Sequence, residues 1–201
     1  MKYDHIRQLA DHWQLVLGSG SPRRVALLAE TGIRFKQIVP DLKESPQKDE
    51  SPFLFAKRLA KDKALRVSTQ LNADHIVIGC DTVVVLHNRI LKKPSSEDDA
   101  YAILSALAGQ NHVVCTALAL AQQKKLLASG SELTEVSFNP VTAQQIRDYI
   151  ATGEPMDKAG AYGIQGMGSF LVDSIKGNLD NVIGLPRMLL NKLAKEVCES
   201  R

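Results

Sequence analysis

The stretch that decides the fold is Leu15–Arg24, LVLGSGSPRR, in which a short apolar run leads into a turn of small residues and two arginines. We interpret it as a strand, a tight loop and the start of a helix, with Pro22 in the first helical turn. A helix N-terminus offers N–H groups and the positive end of its dipole to anions. Arginine forks match phosphate geometry. The stretch therefore predicts a phosphate cradle, and a capped turn with solvated arginines is the alternative.

Composition favours a globular protein that binds a small anion. The chain has 201 residues, of which 44% are hydrophobic and 23% charged, and its net charge is +3. That charge, with 5% aromatic residues, is too weak a signal for a nucleic-acid groove. Three widely spaced cysteines predict neither a disulfide framework nor a structural zinc site. Without an apolar signal core or membrane span, we expect a cytoplasmic protein with no membrane partner.

The hydrophobic pattern predicts a mixed α/β sheet, because strands and helices alternate at first and a hairpin follows. Residues 1–13 are expected to form a short helix or a loose extension, and 40–52 a polar loop. We expect a break in the third strand at 79–82, a glycine-rich loop over Glu154–Ser169 and a turn over Gly177–Asn181. Predicted strands are Leu15–Leu17, Phe35–Val39, Asp74–Leu86, His112–Ala121, Lys125–Phe138 and Phe170–Ile175. Predicted helices are Arg24–Thr31, Phe53–Val67, Ser96–Leu107, Thr142–Ala151 and Leu185–Val197.

Asp81 is the most informative acid, because it lies inside the apolar run IVIGCDTVVV (76–85). A carboxylate in such a setting needs a metal ion or a basic partner. A structural salt bridge is the alternative. Thr82 adds a hydroxyl beside it. Glu44, in the polar loop after the second strand, could reach the same site, and two carboxylates with phosphate oxygens suit a Mg²⁺-like cation. A loop acid is otherwise usually solvated.

Basic and amide side chains further along the chain extend this picture. Lys63 lies in a helix of mixed charge and Lys93 precedes a proline after a strand, so each taken singly is expected at the surface. Either Lys92 or Lys93 could turn toward a phosphate. The segment GAYGIQGMG (160–168) fits a lid over a ligand, or a plain surface loop. The amide of Gln165 can read the edge of a base.

Three separated motifs resemble the Maf family of nucleoside triphosphate pyrophosphatases. LGSGSPRR (17–24) is similar to the family's opening signature, although Gly18 stands where alanine is more usual. GCDTVV (79–84) with LKKP (91–94) is similar to the second signature. DKAGAYGIQGMGSFLV (157–172) with GNLDNVIGLP (177–186) is similar to the third. The resemblance runs from about residue 14 to 192, so we expect one Maf-like domain over residues 1–201, with 1–13 as an N-terminal extension of no assigned role.

The resemblance implies a two-lobed α/β fold like that of inosine triphosphate pyrophosphatases, with a mixed sheet and a central cleft. It implies hydrolysis of a nucleoside triphosphate to the monophosphate and pyrophosphate, aided by a divalent cation such as Mg²⁺ or Mn²⁺. Asp81 matches the proton acceptor. The KAGAYGIQG form is similar to the dTTP/UTP-preferring branch. The residues matching the phosphate and metal site are Ser19, Arg23, Arg24, Glu44, Lys63 and Lys93, and those matching base choice are Arg23, Thr82 and Gln165.

Other functions stay open at this level. The same reaction on 7-methyl-GTP is one alternative, and a non-catalytic nucleotide-binding regulator of septum formation is another. A binder needs the basic cradle but not Asp81 together with Glu44, so the two acids favour an enzyme. The family often dimerises, and a homodimer is consistent with the resemblance. No nucleic-acid partner is expected.

Overall fold

The computed structural model describes residues 3–200, and its elements follow the predicted order closely. The helices are α1 (Asp4–His12), α2 (Pro22–Ala29), α3 (Pro52–Ser68), α4 (Glu97–Leu107), α5 (Ala143–Ala151), α6 (Leu179–Ile183) and α7 (Arg187–Glu199). The strands are β1 (Gln14–Gly18), β2 (Phe35–Gln37), β3 (His75–Leu86), β4 (Arg89–Leu91), β5 (Asn111–Gln122), β6 (Lys125–Phe138) and β7 (Val172–Lys176). No helix within residues 3–200 is long and apolar enough to cross a membrane.

The strands form a mixed sheet, which confirms the predicted fold class. Seven strands take part, in the order β2-β1-β3-β5-β6-β7, with β4 paired to β3. β1 pairs in parallel with both β2 and β3. The β3–β4 and β6–β7 pairs are antiparallel. Helices α2 and α3 lie in the connections that lead from β1 through β2 to β3, because parallel neighbours need crossover segments.

The chain forms two compact units, and strands β3, β5 and β6 run through both. Unit 1 contains the described residues up to Asp81, Thr116–Glu132 and the described residues from Gly184 onward. Unit 2 contains Thr82–Cys115 and Leu133–Ile183. Each unit has its own buried apolar residues.

The N-terminal segment contributes to the core of unit 1. Ile6 and Leu9 on α1 are fully buried, and α1 packs against α7. The backbone N–H groups of His5 and Ile6 donate to the Oδ1 atom of Asn191 on α7, at 3.1 and 3.2 Å. This side chain satisfies two N–H groups that the first turn of a helix leaves without partners. From residue 3 onward the segment is therefore an ordered helix and not a loose extension.

Three local expectations differ from the structure. β3 is continuous through 79–82, where we expected a break. The segment Gly177–Asn181, expected to be a turn, includes the start of the five-residue helix α6, which is too short to show a helical pattern in sequence. The region Glu154–Ser169 contains short 3₁₀ turns. The predicted helix starts at Ser96 and Thr142 are confirmed, since both residues cap their helices by accepting a backbone N–H.

An aromatic cluster fixes the interior of unit 2. His112 packs edge-on against Phe138 and Tyr162, with ring centroids 5.0 and 5.4 Å away. Its Nε2 atom lies 2.8 Å from the hydroxyl of Tyr162, and its Nδ1 atom has no hydrogen-bond partner among residues 3–200. Burial lowers the pKa of His112 from 6.5 to about 4. The imidazole is therefore neutral in the folded protein at neutral pH.

We predict that unit 2 loses stability in acid through His112. Because the folded pKa lies below the unfolded one, the stabilisation is complete above pH 6.5 and declines as the pH falls toward 4. The whole effect is about 3 kcal/mol. Urea unfolding from pH 7 to pH 4 should show a steeper loss for the wild type than for His112→Gln, which cannot acquire this charge. Parallel losses in the two proteins would refute the prediction.

Candidate functional site

Hydrogen bonds from side chains stabilise the turn between β1 and α2. The Oγ atom of Ser19 accepts hydrogen bonds from the backbone N–H of Ser21, at 3.2 Å, and from Nη1 of Arg24, at 3.0 Å. The carbonyl of Ser19 accepts a bond of 2.8 Å from the amide of Gln37. Ser19 is also buried. The predicted cradle therefore has a fixed backbone shape at the N-terminus of α2.

Arg24 fastens this turn to two other segments of unit 1. Its Nε atom donates to the carbonyl of Gly184 at 2.9 Å, and Nη1 donates to the carbonyl of Cys80 at 3.0 Å. Much of its donor fork is thus engaged with the protein, so it organises the turn as well as adding positive charge. Arg23 precedes it in the first turn of α2 and is half-buried.

Lys63 is buried between two carboxylates, whereas the sequence taken residue by residue favours a surface position. Its side chain is 8% exposed, and Nζ lies 2.6 Å from Oδ1 of Asp81 and 2.6 Å from Oε1 of Glu44. The side chain of Asp81 is also 8% exposed, whereas that of Glu44 is 52% exposed. The ammonium therefore draws a buried acid and a loop acid to one point.

A glycine lets α3 approach β3 closely enough for this contact. A Cβ atom at Gly79 would lie 2.2 Å from the carbonyl oxygen of Ala60 and 2.6 Å from the backbone nitrogen of Ala64. Such distances are impossible for any side chain, so only glycine permits this close packing of backbones. Lys63 lies on the same turn of α3, and Asp81 lies two residues beyond Gly79. Residues 79–82, which look like a break in the strand pattern, are thus where α3 packs against β3.

Arg58 anchors the polar loop that carries Glu44. Its guanidinium donates to both carboxylate oxygens of Glu50, at 2.6 and 2.7 Å, and to the carbonyl of Ser45, at 3.0 Å. The hydrogen bonds from Arg58 lower the pKa of Glu50 to about 2. Arg58 is therefore part of a hydrogen-bonded cluster, although it lies in a helix of mixed charge. Its bonds hold the loop on the side where Glu44 meets Lys63.

Burial governs the acid–base properties of the strand residues. Loss of solvation raises the pKa of Asp81, although the positive charges of Lys63 and Arg24 oppose the shift. Burial also raises the pKa of the Cys80 thiol, whose Sγ atom lies 3.1 Å from the carbonyl of Gly184. Cys80 is thus a buried, protonated thiol and not a nucleophile. Because its pKa is raised, Asp81 takes up a proton at a higher pH than an exposed aspartate does.

The carboxylates of Glu44 and Asp81 fit a shared hard cation. Each places one oxygen 2.6 Å from the same ammonium nitrogen, so both already converge on one positive centre. No group of three or more His, Cys, Asp or Glu side chains within residues 3–200 is arranged to hold a metal ion. A cation here would therefore need oxygens from elsewhere, and Mg²⁺ is usually bound by one or two carboxylates plus phosphate oxygens.

The remaining predicted residues lie in unit 2. Thr82 follows Asp81 on β3 and is half-buried; side chains alternate along a strand, so it shares its face with Val84, against which Gly160 packs. Lys93 is exposed in the segment after β4, and the neighbouring Lys92 carbonyl accepts the N–H of Gly160 at 3.1 Å. Gln165 is exposed on the glycine-rich segment. In unit 1, Ser19 and Arg24 form one hydrogen-bonded pair, and Glu44, Lys63 and Asp81 form a set of ion pairs. Arg24 also binds the carbonyl of Cys80, the neighbour of Asp81 in the chain.

The chain is similar to a known protein family, to named bacterial proteins and to a solved structure. The sequence model of the family described as Maf-like protein matches residues 14–197. The chain is 46% identical over 179 residues to a protein of Photorhabdus laumondii named dTTP/UTP pyrophosphatase, covering 89% of this chain and 91% of the relative. A Yersinia pestis protein of the same name is 43% identical, covering 93% and 94%. A solved HAM1 protein from Coxiella burnetii, 15% identical, covers 93% of this chain and 99% of its own with a TM-score of 0.54, which indicates a shared fold.

We predict that Gly79→Ala separates α3 from β3 and disrupts the Lys63–Asp81 contact. The added methyl would meet backbone atoms that cannot rotate away. Overpacking of this kind costs about 1–3 kcal/mol or more. Urea unfolding should show the loss, and the matched substitution Gly153→Ala meets no atom within 4 Å although its φ of 75° adds some strain. Equal unfolding midpoints for wild type and Gly79→Ala would contradict the close packing.

Proposed function

Because the chain belongs to the Maf family, we propose that it is a nucleoside triphosphate pyrophosphatase that hydrolyses dTTP and UTP to the monophosphate and pyrophosphate. The observation that carries this proposal is the ammonium of Lys63 held at 2.6 Å from both Glu44 and Asp81. A protein that only binds a nucleotide has no need of two acids on one cation beside its phosphate cradle. The names of relatives that match nine-tenths of the chain give the base preference.

The phosphate chain of the substrate binds at the β1–α2 turn in this proposal. The N–H groups at the start of α2 and the guanidinium of Arg23 offer donors for its oxygens. Arg24 and Ser19 keep the turn in shape through their mutual hydrogen bond of 3.0 Å. Lys93 is assigned a further positive charge for the phosphates. Positive groups already in position stabilise the charge that develops on the leaving pyrophosphate.

Asp81 acts as the proton acceptor for the attacking water. Its carboxylate is buried on β3, and a carboxylate within hydrogen-bond reach of a water can accept that water's proton. It accepts a proton from the water as the water oxygen attacks the α-phosphorus, and the bond from that phosphorus to the bridging oxygen of pyrophosphate breaks. The ammonium of Lys63, 2.6 Å from Oδ1, keeps the carboxylate oriented before the reaction.

Glu44 and Asp81 would hold a divalent cation, Mg²⁺ or Mn²⁺, together with phosphate oxygens. When bound, such a cation would neutralise part of the negative charge of the phosphates. With both carboxylates shared with a cation, the ammonium of Lys63 would also contact the phosphates. Glu44 can adjust most readily, because its side chain is 52% exposed on a loop.

Base choice is assigned to Gln165, Thr82 and Arg23. The exposed amide of Gln165 has both donors and an acceptor for the edge of a pyrimidine, and Thr82 adds a hydroxyl. Arg23 is assigned a share in base choice as well as in phosphate binding. A cytoplasmic setting is part of the proposal. A homodimer remains part of the proposal, and no nucleic-acid or membrane partner is included.

Removal of the proposed base should abolish turnover. General base catalysis contributes about 10²–10⁴-fold, so Asp81→Asn should lower kcat on dTTP by at least about a hundredfold. Release of pyrophosphate in the presence of Mg²⁺ measures this, with urea unfolding to verify the fold. The matched control is Asp173→Asn on exposed β7. Wild-type turnover by folded Asp81→Asn would overturn the assignment, and tight binding without any hydrolysis by the wild type would favour a regulator.

Gln165→Ala should change base preference more than phosphate chemistry. We expect the ratio of kcat/KM for UTP to that for GTP to fall about tenfold, the size of a lost hydrogen bond of about 1.4 kcal/mol. Steady-state assays with dTTP, UTP, CTP, GTP and 7-methyl-GTP measure the ratio. Gln144→Ala, on the exposed side of α5, is the control. Equal losses on every nucleotide would show that Gln165 does not read the base.

A further inference from the structure

The segment that carries Gln165 closes around a carboxylate of the protein itself. The Oε2 atom of Glu154 accepts the N–H of Met167 at 2.9 Å. Its Oε1 atom accepts the hydroxyl of Tyr149 at 3.0 Å and the N–H of Gly168 at 3.3 Å. The Tyr149 hydroxyl in turn accepts the N–H of Gly163 at 3.0 Å. Three backbone N–H groups on both sides of Gln165 are thus tied to one Glu–Tyr pair.

The glycines of this segment are needed for packing against that pair. A Cβ atom at Gly168 would lie 2.5 Å from the Tyr149 hydroxyl, closer than any real contact. Gly166 has a φ of 80°, and a Cβ atom there would lie 3.0 Å from Oε2 of Glu154. The glycine pattern therefore has a structural cause inside unit 2. It does not require a hinge or a ligand that approaches the backbone.

The pair is itself held in place. Tyr149 lies on α5 and is 2% exposed, and burial raises the pKa of its hydroxyl, which keeps it protonated as a donor. The backbone N–H of Glu154 donates to the hydroxyl of Thr152 at 3.1 Å, and its carbonyl accepts the ammonium of Lys158 at 2.5 Å. A side chain oriented by a rigid helix and a fixed backbone can impose one geometry on the segment that surrounds it.

We propose that Glu154 and Tyr149 are positioning residues for base selection, because they hold the Gln165 segment in one preformed geometry. The inference rests on the proposed pyrophosphatase function and on the role assigned there to Gln165. Neither Glu154 nor Tyr149 contacts the base in this proposal. They act through Gln165, and they reduce the ordering that would otherwise oppose nucleotide binding.

Glu154→Gln is the sharpest variant, since the shape is kept while one acceptor oxygen becomes a donor. Three donors then face a single acceptor, so at least one N–H of the segment loses its partner. We expect the UTP-to-GTP ratio of kcat/KM to fall about tenfold. Turnover of the poor substrate GTP should change less than about twofold. Tyr149→Phe, which removes only the hydroxyl, should act in the same direction. Glu135→Gln, on the exposed surface of β6, is the matched control.

A double variant separates positioning from a general structural effect. If Glu154 acts through Gln165, the ratio for Glu154→Gln with Gln165→Ala should equal that of Gln165→Ala alone. Additive losses would overturn the inference, as would an unchanged ratio in both Glu154→Gln and Tyr149→Phe. If Gln165→Ala itself leaves the ratio unchanged, the proposed role of Gln165 and this inference fail together.

Amide exchange of the wild type tests the inference without any turnover. The N–H groups of Gly163, Met167 and Gly168 should exchange with solvent at least about tenfold more slowly than in Glu154→Gln, as measured by NMR. Exchange at the same rate in both proteins would overturn the inference even if the enzyme hydrolyses dTTP and UTP. If these N–H groups exchange slowly but the protein hydrolyses no nucleotide, the proposed function is contradicted. The fixed geometry of the segment is then still supported.

Discussion

The ion pairs of Lys63 are the constraint on which the rest of unit 1 depends. An ammonium with so little exposure is stable only if carboxylates lie within contact distance, because a buried unpaired charge is very costly. Two features of the fold satisfy that requirement. Gly79 lets α3 approach β3, and Arg58 holds the loop from which Glu44 reaches the ammonium. The same arrangement brings two acids to one point beside the β1–α2 turn.

Unit 2 uses the reverse arrangement, in which a carboxylate is surrounded by donors. Glu154 receives two backbone N–H groups and a tyrosine hydroxyl, so the segment around it has a defined shape. Both clusters satisfy their polar atoms within their own unit, and satisfied polar networks give rigidity.

Much of the fold followed from the sequence because its signals are local. The caps at Ser96 and Thr142 and the long apolar strands depend on neighbours within a few residues. The burial of Lys63 did not follow, since a lysine in a charged helix is usually solvated and its partners are far away in sequence. The same holds for Glu154: its residue type is unremarkable, and only the fold shows that the glycines around Gln165 pack against it. Close backbone contacts depend on tertiary structure.

The central claim is that the carboxylate of Asp81 directs a water molecule to the α-phosphorus. Hydrolysis of UTP in H₂¹⁸O with Mg²⁺, followed by mass spectrometry of both products, tests this most directly. The account predicts one ¹⁸O atom in the uridine monophosphate and none in the pyrophosphate released. Label in the pyrophosphate would mean attack at the β-phosphorus, which would contradict the geometry assigned to the site.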